Sequence, residues 1–261
     1  MSAKASAIRS LHELAPLRPK HLAKLRTLQH GGVSTSLYVA TYPLHDTEVR
    51  VEVLPAPEPL EQWCRRTRTP EALVGGFYQR PEGTPLGELR THGVRRASVP
   101  FDAPWDAVRA CVHVAGGTVN VVRRDALPAD PVGDLLQAGP LLLAGGDVAL
   151  HDDTEGFSAG SRQFDSDITE GRYPRAALAI AGDRLLAAAC DGRANREAGM
   201  TLHELATTLR SLGATDAINL DGGGSTSLVC GGRLRNRPRE AHGVILHGGR
   251  AVSTALVFRP V

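Results

Sequence analysis

The segment Asn219-Leu220-Asp221-Gly222-Gly223-Gly224-Ser225-Thr226 concentrates more potential chemistry than any other part of this 261-residue chain. A short apolar run, Ala217-Ile218-Asn219-Leu220, delivers an acidic side chain that is followed at once by three glycines. Consecutive glycines lose much conformational entropy on folding. They therefore imply a backbone path closed to other residues, or a close approach between backbone and ligand. Such a loop can aim successive N–H groups at an anion, with the hydroxyls of Ser225, Thr226 and Ser227 beside them, and this suits a phosphate. A plain Gly-rich β-turn capped by Asp221 accounts for the same letters. The known phosphate and nucleophile motifs do not fit: no Lys follows the glycines, and Ser227 stands where G-x-S-x-G needs its last Gly. The continuation Leu228-Val229-Cys230 and Gly231-Gly232 reads as strand and turn, not as the helix of a dinucleotide site.

The surroundings give this segment a context. Pro174-Arg175-Ala176-Ala177, Asp191-Gly192-Arg193, Gly199-Met200-Thr201-Leu202 with Glu204-Leu205-Ala206, and Gly213-Ala214 precede it, and Arg250-Ala251-Val252-Ser253-Thr254-Ala255 follows it. Farther upstream stand Gly75-Gly76-Phe77-Tyr78 and Gln137-Ala138-Gly139-Pro140-Leu141-Leu142. Together these residues, spread over about positions 70 to 260, resemble the phosphodiester glycosidase family. One departure stands out: the family usually carries Asn just before the early Gly pair, where this chain has Val74.

The resemblance implies hydrolysis of the sugar–phosphate bond in a glycosyl phosphodiester or related phospho-sugar, a small-molecule substrate. A phosphate leaves with its charge already delocalised, so arginine and backbone N–H groups can replace much of the general-acid work. Arg175, Arg193 and the loop Gly222, Gly223, Gly224 and Ser225 are the expected phosphate holders, with Thr226 beside them and Arg250 a further anion contact. The oxocarbenium-like sugar must be met by a carboxylate or by water. Asp221 is the first choice, as nucleophile, as activator of water, or as ligand of a divalent cation such as Ca or Mg. Asp191, at the end of a neighbouring strand, is the second carboxylate. Asn219 is expected to orient Asp221, to bond the sugar or to satisfy buried backbone, and Gly76 and Phe77 to touch substrate. Val74 bears on which sugar is handled, or on whether turnover survives. Two other readings of the same residues are a metal-assisted phosphodiesterase cleaving P–O and a catalytically silent carbohydrate- or phosphate-binding module.

The elements that must position these groups read as an α+β domain with mixed β-sheets and few helices. The clearest helix is Leu202 to Leu212, whose Leu202, Leu205, Ala206, Leu209 and Leu212 share one face; Thr201 and Glu204 stand in capping-box spacing and Gly213 stops it. That pattern gives Glu204 a capping role in place of an acid–base one. Leu60 to Arg68 reads as a short helix and Ala72 to Tyr78 as a strand entering a Gly turn. Hairpins are expected over 108–122 at Gly116-Gly117, over 176–190 at Gly182-Asp183, and from Ser36–Thr41 to Glu48–Leu54 across His45-Asp46. Residues 1–35 read as an N-terminal helical appendage and 36–261 as the phosphodiester glycosidase-like domain. The polar, Gly-rich stretch 151–173 reads as a long functional or solvated loop.

Composition sets the outer bounds. A net charge of +2 gives no concentrated basic face for nucleic acid. No run approaches the ~18 apolar residues of a membrane span, and charged residues follow the N-terminus in place of a signal-type apolar stretch, so a soluble cytoplasmic protein is expected. Cys64, Cys111, Cys190 and Cys230 lie far apart without a C-x-x-C pair, which makes buried reduced thiols the expectation.

Overall fold

The computed structural model describes residues 21–28, 33–150, 155–156 and 171–261. Residues 1–20 and most of the 151–173 loop lie outside them. Three sheets and a two-stranded ribbon carry the described chain. The seven-stranded sheet runs, in spatial order, His21–Leu28, Ser34–Pro43, Arg184–Cys190, Ala176–Ala181, Asp216–Asn219, Leu141–Ala144 and Asp147–Val148. A five-stranded sheet comprises Thr118–Arg123, Ala110–Ala115, Asp134–Gln137, Leu89–Thr91 and Val94–Arg95; the other comprises Arg233–Leu234, Leu228–Cys230, Ala72–Val74, Ala251–Pro260 and Thr47–Pro59. The ribbon pairs Tyr78–Gln79 with Thr84–Pro85. Neighbouring strands pair antiparallel throughout. With three α-helices among the described residues, Leu60–Thr67, Trp105–Val108 and Leu202–Ser211, the architecture is the expected α+β one with few helices.

Side chains alternate across the central sheet, so each strand serves two cores. Tyr38, Ala40 and Tyr42, with Ala176, Leu178, Ala187 and Ala189, face a cluster that joins all three sheets through Val49, Val51, Val112 and Leu256. Leu37, Val39, Ala177, Ala179, Leu186 and Ala188 face the opposite side, where Leu202, Leu205, Ala206 and Leu209 of the long helix cover them. That helix begins with the expected capping box: the Glu204 N–H donates to Thr201 Oγ1 at 3.1 Å, and Glu204 Oε2 accepts from the Thr201 N–H at 3.0 Å. Arg172 pairs with the same carboxylate at 2.8 Å, which leaves Glu204 structural. All four cysteines are buried.

Two local expectations are corrected. His21–Leu28, read as part of a helical appendage, is a strand in register with Ser34–Pro43. The i, i+3 spacing of Leu22 and Leu25 imitates a helix, but on a strand it sends them to opposite faces, Leu22 toward the inter-sheet core and Leu25 toward the helix side. A sheet covered on both faces rewards that pattern. Ser34–Pro43 and Thr47–Pro59 do not form a hairpin, because the short 3-10 turn Leu44–Asp46 carries the chain from one sheet to another. Each strand instead finds a long distant partner, Arg184–Cys190 for the first and Ala251–Pro260 for the second. The hairpins at Gly116-Gly117 and Gly182-Asp183 are present as expected.

Candidate active site

Asp216–Asn219 lies inside the central sheet, between Ala176–Ala181 and Leu141–Ala144, and its C-terminal end presents Asp221 at the seam with the neighbouring sheet. The Asp221 N–H donates to the Gly75 carbonyl at 3.0 Å, and the Gly75 N–H donates to Thr254 O at 3.0 Å, so the acidic residue is tied to both sheets through backbone.

The three glycines are needed for packing. A Cβ on Gly222 would stand 2.8 Å from the Pro174 carbonyl oxygen, one on Gly223 would adopt φ +61 against the Arg193 guanidinium, and one on Gly224 would stand 2.7 Å from Glu240 Oε1. Gly192 backs onto the other side of Pro174, its added Cβ 2.7 Å from the Pro174 nitrogen, so two glycine turns close on one proline. Most of the N–H groups expected to hold phosphate are spent within the loop. The Gly222 N–H donates to Asp221 Oδ1 at 2.8 Å, Gly223 to Pro174 O at 2.9 Å, Ser225 to Gly222 O at 3.1 Å and Thr226 to Gly223 O at 3.3 Å. These four donors are turned inward to build the loop and position Asp221.

Asp221 is partly exposed. Burial of its carboxyl pushes its pKa up to about 6, against the opposing pull of hydrogen bonds from Ser225 and the Gly222 N–H and of the Arg250 and Arg80 charges. Tyr78 stands beside it: its hydroxyl lies 3.3 Å from Ser225 Oγ, and burial, followed by the Asp221 charge, raises the phenol. Tyr78, Arg80 and Arg250 wall an open cleft of ≈ 460 Å³ together with Pro57 and Pro81.

Glu240, which sequence reasoning missed, adds a second carboxylate to this group. Its Oε1 accepts from Arg250 Nε at 2.7 Å and from Arg250 Nη2, and its Oε2 lies 3.7 Å from Arg193 Nη1. Burial alone would raise it, but the bonds from Arg250 and the charges of Arg250 and Arg193 outweigh burial and hold it below the usual carboxylate range. Arg193 adopts φ 58, a left-handed conformation uncommon for a bulky residue, and its Nη1 donates to Arg239 O at 3.1 Å. Tyr78 and Arg80 were likewise outside the expected site. Nothing in their spacing marks them except the Gly75-Gly76-Phe77-Tyr78 segment that precedes Arg80.

Several expected site residues stand elsewhere. Arg175 is 3 % exposed; its Nε donates to Met200 O at 2.6 Å and its Nη2 to Gly171 O at 2.8 Å. It braces the backbone around Pro174, while Arg80 and Arg250 supply the charge at the cleft and Arg193 stands beside Glu240. Asp191 is also 3 % exposed, and its Oδ1 accepts the Arg237 N–H at 2.6 Å, which fixes the loop leading to Glu240. Burial raises its pKa, offset in part by that N–H. Asn219 is buried and donates through Nδ2 to Gly139 O at 3.1 Å and Leu220 O at 2.9 Å, so of its expected roles the backbone one is realised. Thr226 is buried beneath the loop, and Ser225 reaches Asp221 and Tyr78. Gly76 donates its N–H to Thr254 Oγ1 at 3.0 Å, and Phe77 packs edge-on to Phe101 in the core. Val74, at the family's Asn position, is fully buried; its N–H donates to Ser227 O at 2.9 Å. Its side chain therefore serves the core and does not face the cleft.

The donor set around Asp221 does not fit a divalent cation. Its charged neighbours are Arg250 and Arg80, and no cluster of three or more His, Cys, Asp or Glu exists among the described residues. A cation there would meet guanidinium groups where it needs carboxylates. No helix among the described residues is long and apolar enough to cross a membrane.

The family model for phosphodiester glycosidase matches residues 68–259. Among solved structures, the chain is similar to the zebrafish N-acetylglucosamine-1-phosphodiester α-N-acetylglucosaminidase catalytic domain auto-inhibited by its pro-peptide, with TM-score 0.71 and 21% identity over 95% of this chain and 85% of that one. It is also similar to a hypothetical protein from Synechocystis, with TM-score 0.61 and 19% identity over 93% of this chain and 64% of that one. A putative exported protein from Burkholderia pseudomallei gives TM-score 0.63 and 17% identity over 88% of this chain and 74% of that one. No curated protein matches the chain.

Proposed function

The chain belongs to the phosphodiester glycosidase family, and from that premise we propose that it hydrolyses the sugar–phosphate bond of a glycosyl phosphodiester, with Asp221 as the carboxylate facing the sugar. The observation that carries this reading is a carboxylate whose pKa is pushed up to about 6, fixed by the Gly222 N–H and Ser225, beside a cleft walled by Arg80 and Arg250. Two carboxylates whose environments move them in opposite directions, Asp221 up and Glu240 down, are a common arrangement where acid–base work is divided.

In this mechanism the substrate phosphate lies against the arginines and the anomeric carbon faces Asp221. As the sugar–oxygen bond lengthens, charge collects on the phosphate and is stabilised by guanidinium groups already in place. Ionised Asp221 takes the proton of the water that attacks the sugar; a base that titrates close to the working pH suits that step. The Ser225 hydroxyl and the Gly222 N–H hold the carboxylate in one orientation while it does so.

The test is release of free sugar from UDP-N-acetylglucosamine and a panel of glycosyl phosphodiesters. Wild type is expected to release sugar, with kcat/KM rising tenfold per pH unit to about pH 6 and level above it. Asp221→Asn is expected to lose about 10²- to 10⁴-fold and the acid limb with it. A chelator is expected to leave the rate unchanged. Full activity in the Asn variant, or labelled water oxygen appearing in the phosphate and not in the sugar, would overturn the assignment.

A further inference from the structure

Glu240 is out of place in a site for an anion. Its carboxylate sits among Arg193 and Arg250, where it opposes any negatively charged ligand, and Gly224 lacks the side chain that would otherwise occupy its place. It also takes both Nε and Nη2 of Arg250, the edge with which a guanidinium would grip two oxygens of one phosphate. Glu240 therefore lowers the positive charge that Arg193 and Arg250 present.

We propose that Glu240 is a specificity-determining residue that matches the site to a singly charged phosphodiester and against a doubly charged phosphomonoester. The proposal rests on the phosphodiester reading above and adds to it a basis for discrimination and for product release. A phosphodiester carries one negative charge at neutral pH, and a phosphomonoester, with its second pKa near 6, carries close to two. The monoester left after cleavage carries a second charge and is repelled more strongly by Glu240, so binding weakens as the bond breaks. Removing the carboxylate's charge loosens its hold on the Arg250 edge and makes the net charge more positive by one, and both changes favour the doubly charged species.

The experiment uses a non-hydrolysable pair that differs by one charge and one methyl group: an α-C-glycosyl methylphosphonate, doubly charged at pH 8, and its singly charged monomethyl ester. Calorimetric titration compares wild type, Glu240→Gln and Glu240→Asp. Wild type is expected to prefer the singly charged methyl ester. Glu240→Gln is expected to gain about tenfold more affinity for the doubly charged probe than for the ester, an advantage that shrinks in high salt. Glu240→Asp, which keeps the charge, is expected to retain the wild-type preference, and thermal melts of all three proteins show whether each is folded. Equal shifts for both probes in Glu240→Gln, loss of both in that folded variant, or no binding of either probe to wild type would overturn the inference. Wild type that binds the probes with the expected preference yet releases no sugar from any diester would instead sink the hydrolase reading and leave the charge selection standing.

Discussion

Asp221 is held in a state the unfolded chain would not choose. Its pKa is about 6 in the fold and 3.8 by default, so between those values the native state binds a proton that the unfolded state has released, and stability falls as pH rises through that window. Above it both states are ionised and the fold carries the full penalty of burying the charge. Asp221→Asn keeps an oxygen to accept the Gly222 N–H and removes the charge. The variant is therefore expected to be more stable than wild type at pH 8 by about 1–2 kcal/mol, after discounting a shift of roughly two units for partial exposure. The advantage should be gone by pH 4, and urea unfolding at the two pH values measures it. A residue that gains stability when its activity is removed is the signature expected of a functional carboxylate. Of the residues expected at the site, Asp221, Ser225, Arg193 and Arg250 come together, whereas Arg175, Asp191, Asn219 and Phe77 support them from beneath. The sequence cannot separate these groups, because a buried arginine bonding carbonyls and an arginine awaiting phosphate are the same letter.

At the scale of elements, the legible parts were those whose signal is local. The long helix announced itself through Thr201, Glu204 and the apolar face, and the two hairpins through turn glycines, because capping and tight turns are settled within a few residues. Ser34–Pro43 and Thr47–Pro59 could not be paired correctly by inspection, since Arg184–Cys190 and Ala251–Pro260, the long partners they find, lie more than a hundred residues away. The glycine loop was legible as special, but its reason was not. Its glycines fit against Pro174, Arg193 and Glu240, which are known only from the tertiary structure. Gly222→Ala drives a methyl into backbone and is expected to cost about 1–3 kcal/mol. Gly224→Ala meets only the ends of the Glu240 and Leu246 side chains and is expected to cost less. Thermal melts of the two variants rank them; a Gly222→Ala protein as stable as wild type would contradict the packing account.

At the scale of the whole molecule, the candidate site is assembled from segments around residues 78–80, 193, 221–225 and 240–250, brought together where two sheets meet. That is why Glu240, Tyr78 and Arg80 escaped notice: they lie outside the regular elements or on a two-residue strand, and no periodicity points to them. The same assembly encloses every thiol. Cys64, Cys111, Cys190 and Cys230 are at most 5% exposed, and burial pushes Cys64 and Cys190 up to about 12, far from a reactive thiolate. A thiol reagent is expected to find nothing to react with in the native protein at neutral pH and all four groups in denaturant; rapid native reaction would mean that the core opens readily.

Such a chain is ready for spectroscopic labelling without first stripping its own cysteines. A cysteine placed at exposed Glu82, in the turn between the ribbon strands beside the cleft, would be the one group to accept a fluorophore. Its emission would then follow a ligand entering the cleft in real time, whether or not any bond is broken.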